Sequence, residues 1–329
     1  MLKNFWGSSL SLAIAIAISF WFWGFNGVYI VAFLALLEVS LSFDNAVVNA
    51  KVLAKMEPIW RRRFIVWGIP IAVFGVRFVL PVLLVAAVSE MTIAQTFSFA
   101  FSDPARYAAE LENGQNLIHA FGGAFLLMVA MDFYFDRNRE VHWIKALENN
   151  LLTRKIAAIN SISVIIAVII GIVLLAQSDS ASVGIAYFGG VAIYEIINKV
   201  DELVSQNNSG ATTRNGVAGF IYLETLDASF SLDGVVGAFA LSTNIFMIMI
   251  GLGVGALFVR SLTLYFVAKG TLAEYRYLEH GAHYAIFALA AIMLIKIFFH
   301  ISEFITGSIG AMFILLAFCH SVVANRKIL

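Results

Sequence analysis

Charge is scarce in this chain. Only 13% of its 329 residues are Asp, Glu, Lys or Arg, about half the share usual in soluble domains, while 61% are hydrophobic. A chain this long, with a mean hydropathy of +0.89, cannot hide its apolar residues in one water-exposed globule. Lipid must solvate much of it. Cysteine is nearly absent. Cys319 stands alone, which excludes an intramolecular disulfide and a thiolate metal cage. The formal net charge is zero, so there is no basic surface for nucleic acid. No G-x-x-x-x-G-K-[ST] segment is present, and long soluble loops are missing, which weighs against nucleotide-driven pumping and against a docking platform.

What remains is a series of apolar runs long enough to span a bilayer, roughly 20 residues each. Ten are expected, at about 8–24, 28–52, 64–88, 117–135, 156–176, 183–200, 217–241, 243–268, 281–300 and 303–324. The first follows Lys3 and reads as a retained helix, since no small-residue cleavage site stands out. With this count, seventeen of the 21 basic residues fall in loops on one side and only Arg106 on the other. The excess marks the cytoplasmic face and places both termini there. The outside segment from 89 to 116 reads as a solvated polar loop. The segment 137–155 reads as a cytoplasmic connection with Trp143 and Leu147 on one side of an interfacial helix. Pro70 and Pro81 should kink the third span.

Two segments repeat. Glu38-Val-Ser-Leu-Ser-Phe-Asp44 and Asp227-Ala-Ser-Phe-Ser-Leu-Asp233 both read acid-x-Ser-x-Ser-x-Asp, followed by Asn45 in one and Gly234 in the other. Gly68 to Arg77 and Gly251 to Arg260 share a spacing in the next span, and Phe125 to Asp132 matches Leu289 to Lys296 more weakly. Five spans separate the starts of the copies, an odd number, so they should lie in opposite orientations. The expected architecture is an all-α, polytopic transmembrane bundle of nine to ten spans with two inverted three-helix repeats. Residues 1–27 hold the N-terminal helix, and 28–136 the first repeat. Residues 137–216 form the connection with two linking spans, 217–300 the second repeat, and 301–329 the last span and tail.

The motifs place Glu38, Asp44, Glu224, Asp227 and Asp233 at membrane depth, with Glu195 nearer the cytoplasmic edge. Five such charges would cost on the order of 12–18 kcal/mol if unpaired. The buried bases are Arg77, Arg260 and Lys296, too few to cancel them all; the two arginines are expected to hold or release a carboxylate, not to bind a cation. Asp132 reads as an ordinary cap-like surface acid. Residues six apart on a helix point about 240° apart, so Glu38 and Asp44 converge only if the helix unwinds between them. Ser40, Ser42, Ser229 and Ser231 suit such a break, and so does Gly234. The donors are all oxygen: carboxylates, serine hydroxyls and the Asn45 amide. Such a set favours Mg²⁺, Ca²⁺ or Mn²⁺ over Zn²⁺ or Cu⁺. The six histidines read as packing or interfacial residues, and Met128, Met131, Met247 and Met249 as helix packing.

At these motifs the sequence resembles the TerC family of integral membrane proteins, named for tellurium resistance, and most of all its longer bacterial branch with an extra N-terminal helix. The resemblance rests on E-V-S-L-S-F-D-N at Glu38–Asn45 and D-A-S-F-S-L-D at Asp227–Asp233, and extends over about 28–300. Better-understood members of that group are implicated in Mn²⁺ efflux. The resemblance therefore implies a bacterial plasma-membrane exporter with Glu38, Asp44, Asn45, Asp227 and Asp233 at the metal site. Ser42, Ser231, Glu224, Arg77, Arg260 and Lys296 would support it. Gly234 departs from the polar residue expected there. The expected partners are the bilayer and a divalent cation as substrate, with no prosthetic group and no enzymatic activity. Self-association is left open. The alternative is a scaffold of a metal or tellurite stress-response complex, its buried acids serving as structural ion pairs. An intramembrane protease is disfavoured, because the neighbours usual around its paired aspartates are missing.

Overall fold

The computed structural model describes the chain apart from residues 1, 90, 138, 160, 179, 208–215 and 327–329, and apart from the side chains at 2–4, 152, 204–207, 232, 233, 236, 240, 272, 273, 303 and 304. Every regular element among the described residues is helical. The elements are α1 (Leu2–Leu41), α2 (Phe43–Lys55), α3 (Pro58–Pro70), a π-helical segment (Ile71–Val79), α4 (Leu80–Val88), α5 (Ile93–Ser102) and α6 (Pro104–Phe135). Then come the short α7 (Lys145–Glu148) and α8 (Leu151–Ala157), followed by α9 (Ile162–Ser178), α10 (Ala181–Asn207), α11 (Gly216–Leu241), α12 (Ile245–Lys269), α13 (Thr271–Glu274), α14 (Leu278–Lys296) and α15 (Glu303–Arg326).

Among the described residues, seven helices are long and apolar enough to cross a membrane: Phe5–Leu41, Pro58–Val88, Pro104–Phe135, Ala181–Leu203, Ile245–Lys269, Leu278–Lys296 and Ile305–Arg326. The first contains two expected spans. At Gly24, with φ 64° and ψ −154°, the helix reverses. Before the bend, Phe5 meets Tyr265 and Ser8 meets Ser261; after it, Leu34 meets Gly251 and Glu38 meets Gly255. The limbs therefore run in opposite directions along α12, as an antiparallel hairpin. Trp21, Phe22 and Phe25 project at its tip, where a membrane protein carries its interfacial aromatics. Adding the apolar but shorter α9, and α11 with its carboxylates, gives helices matching all ten expected spans.

Only glycine adopts the Gly24 backbone readily. Gly24→Ala has free space around its methyl group, so its cost is conformational, about 1–3 kcal/mol. It should appear as a lowered midpoint in thermal melts of the detergent-solubilised protein. An unchanged midpoint would contradict the reversal.

Three expectations are corrected here. The outside segment is not a polar loop but helical: α5 opens with a reciprocal Thr92–Gln95 cap, and Asp103 caps α6. The third span does not merely kink. Between Pro70 and Pro81 it widens into the π-helical segment, which carries Arg77. Neither motif unwinds: at Ser42 (φ −106°, ψ 17°) one residue interrupts the helix between α1 and α2 while the Ser42 and Ala46 amides still bond one turn back, and the second motif lies in the continuous helix α11.

Corresponding helices of the halves pack antiparallel. Glu38 faces Gly234 while Asn45 faces Asp227. Val73 lies against Gly253 and Phe64 against Arg260. Gly122 meets Met293, while Phe133 stacks on His283 at 3.8 Å. Gly251 and Gly255, four residues apart on α12, admit α1 so closely that methyl groups there would strike Leu34 and Glu38. This small-residue seam brings Glu38 into the centre of the bundle. The connection after α6 folds onto Glu148, whose buried carboxylate accepts from the Trp143 and Ile144 amides and from the Tyr284 hydroxyl, and pairs with Arg139.

Candidate metal centre

The two motifs meet where α1, α2 and the π segment abut α11 and α12. Glu38 is buried and forms an ion pair with Arg77. The Ser42 hydroxyl donates to the same carboxylate oxygen at 2.9 Å. Arg77 also donates to the Ser231 hydroxyl at 3.0 Å and to the Ala72 carbonyl at 2.6 Å. The second serine of each motif thus flanks one ion pair. The first serines do something else: Ser40 and Ser229 each donate to the carbonyl one turn back in their own helix.

Asn45 is shared between two aspartates. Its side-chain Nδ2 donates to Asp227 Oδ1 at 2.7 Å, and its backbone N–H donates to Asp44 Oδ1 at 2.9 Å. With Nδ2 committed to Asp227, Asn45 Oδ1 is a buried acceptor with no hydrogen-bond donor among the described residues; Asn49 Oδ1, one turn on, is another. Asp44 is buried and has no ion pair among the described residues. Glu224 lies 4.0 Å from Arg260, and neither of its oxygens accepts a hydrogen bond there. Arg260 instead donates to the Phe64 carbonyl at 2.5 Å.

Two cavities flank α2. One, of about 10 Å³, room for about one water, is lined by Glu38, Asn49, Arg77, Asp227, Arg260 and Thr263. The other, of about 20 Å³, is bordered by Ser40, Asp44, Gly234, Thr306 and Gly310. Gly234 adds no side chain to that wall; a methyl group there would approach Glu38, and one on Gly310 would approach Asp44. A third, wider cavity of about 210 Å³ is lined by Val48, Tyr222, Lys51, Asp132, Glu279 and His283. Lys51 and Glu279 form an ion pair across it.

The expected site residues divide accordingly. Glu38, Asp44, Asn45 and Asp227 share one junction, with Ser42, Ser231, Glu224, Arg77 and Arg260 around them. Asp233 lies on α11, but its side chain is outside the described residues. Among the described residues, no three His, Cys, Asp or Glu side chains converge into a metal cage. Lys296 is not with the motif acids; it borders a separate cavity with Gln115, His119 and His300. Asp132 is no simple cap: it is half-buried and accepts from Tyr194 at 2.7 Å and Asn198 at 3.3 Å, tying α6 to α10. Asn49 and Thr263 were not singled out from the sequence. Asn49 had a signal, since it falls one helical turn after Asn45.

A family model described as "Protein of unknown function (DUF475)" matches residues 43–328. The chain belongs to the DUF475 family. The match opens at Phe43, the first residue after the interruption at Ser42, so it includes Asp44, Asn45, Arg77, Asp227 and Arg260 and omits Glu38 and the N-terminal hairpin. For this DUF475 member no curated protein and no solved structure matches.

Proposed function

We propose that the protein is a membrane transporter that exports a divalent cation, with Mn²⁺ the first candidate, through the junction of its two motifs. One observation carries this reading: buried oxygen acceptors outnumber the cations beside them. Glu38, Asp44, Glu224, Asp227 and the amide oxygens of Asn45 and Asn49 face two arginines, and one arginine is already bound by Glu38. Such a surplus is costly at membrane depth and is tolerated where an ion passes. A hard divalent cation would supply the missing charge and suit ligands that are all oxygen. The antiparallel pairing of corresponding helices supports the inverted-repeat reading, in which ligand sites form where the repeats meet. The TerC resemblance at the same residues points to Mn²⁺ and to export.

In this proposal Asp44 and Asp227 bind the cargo, with Asn45 holding their spacing and Asn49 adding a neutral oxygen. Glu38 is sequestered by Arg77 in the present arrangement. Mn²⁺ flux into proteoliposomes tests the assignment. Asp227→Asn removes one charged ligand and should lower flux on the order of 100-fold. Parental rates in that variant and in Asp44→Asn would refute the site. The scaffold reading is favoured by the Glu38–Arg77 pair alone. It predicts that cells with and without the protein hold the same manganese under manganese load.

A further inference from the structure

We propose that Arg260 is a tethered counter-cation that alternates with the metal at Asp227. The inference rests on the transport reading and extends it to the return of the empty carrier. Arg260 and Asp227 line the same cavity, but no hydrogen bond or ion pair within 4.0 Å joins them. It donates to the Phe64 carbonyl, lies over the Phe64 ring at 4.0 Å, and stands 4.0 Å from Glu224. Gly68 makes this parking place. A methyl group on residue 68 would overlap both Arg260 Nη1 and Glu224 Oε1. Glu224 stands beside the guanidinium without accepting a hydrogen bond among the described residues, so it does not lock it.

The other half of the molecule shows the alternative arrangement. By the motif register Arg77 corresponds to Arg260, and Glu38 to Asp227. Arg77 is closed on Glu38, while Arg260 is off Asp227. An acid–arginine pair is therefore in direct contact in one half and without direct contact in the other. With Arg260 parked, Asp227 has only the Asn45 amide as donor among the described residues and faces the cavity. After the metal leaves, Arg260 closes on Asp227 and restores the charge that the metal had supplied. A guanidinium stays charged throughout, so this exchange needs no proton at Arg260.

Net flux requires the empty carrier to reorient, whereas exchange of Mn²⁺ for Mn²⁺ does not. Arg260→Gln in the full-length protein should cut net Mn²⁺ flux at least ~10-fold while radiolabelled Mn²⁺/Mn²⁺ exchange continues. It should also tighten equilibrium Mn²⁺ binding several-fold, because a competitor is gone. Arg260→Lys should restore part of the net flux. Gly68→Ala keeps every charge but crowds the parking place, and should weaken Mn²⁺ binding several-fold. If Arg260→Gln fails to fold, binding to Gly68→Ala decides the matter, and unchanged affinity there overturns the inference. Joint loss of flux and exchange in a folded Arg260→Gln protein, or weaker Mn²⁺ binding by it, also overturns the inference but leaves transport standing. A parent protein that neither binds nor carries Mn²⁺ overturns both.

Discussion

Replacing Arg77 by methionine should cost about 3–5 kcal/mol of stability, and adding Glu38→Gln in the same chain should restore much of it. The side chains of Arg77 and Glu38 are only 1% and 2% exposed, so neither charge is relieved by water. Deleting the guanidinium strands Glu38 with one hydroxyl donor, Ser42, and removes the donors to Ser231 and to the Ala72 carbonyl. Most of the cost is the uncompensated carboxylate, because two buried charges attract strongly only while both are present. Neutralising Glu38 removes that part and leaves the lost packing and hydrogen bonds. Thermal and denaturant melts of the parent, both single variants and the double variant close the cycle. A double variant as unstable as Arg77→Met would show that Glu38 is not what the arginine neutralises.

That partnership illustrates what a sequence can carry. The spans were legible because bilayer thickness fixes the length of an apolar run, and the two motifs because acids at that depth are conspicuous. The expected unwinding at the motifs is reduced to a one-residue interruption at Ser42, through which the helical hydrogen bonds continue. A polar Ser-x-Ser stretch between two acids is costly to bury in a straight helix, yet the same stretch in α11 stays continuous. Partner choice was not legible. Asn45 and Asp227 are 182 residues apart, and Arg77 and Glu38 are 39 apart on different helices. Only packing decides that Arg77 reaches its acid while Arg260 is held off. Lys296 counted as a buried base by position, but its end of α14 opens beside Gln115 and His300, away from the motifs. Gly68 gave a repeat spacing and no hint that its missing side chain houses Arg260 and Glu224. The hairpin was written as two spans with little between them, but its reversal depends on one backbone conformation at Gly24.

Asp44→Asn should lower transport on the order of 100-fold and make the protein more stable. Asp44 is buried, borders a cavity, and has no ion pair among the described residues. Its Oδ1 accepts from the Asn45 amide N–H, a bond that an asparagine oxygen can keep. The substitution therefore removes a buried charge or its desolvation cost while retaining the hydrogen bond, a gain of about 1–3 kcal/mol. For the cargo the change is adverse: a neutral amide contributes far less to a hard divalent cation than a carboxylate, and flux should fall on the order of 100-fold. The two signs together are diagnostic. A residue kept for structure loses stability when it is changed, whereas a residue kept for function at a structural cost gains it. Melts of the metal-free protein and flux assays on the same preparation give both signs. Lower stability with normal flux would assign Asp44 to the scaffold. Higher stability with lost flux would mean that the acid is held at membrane depth for the ion.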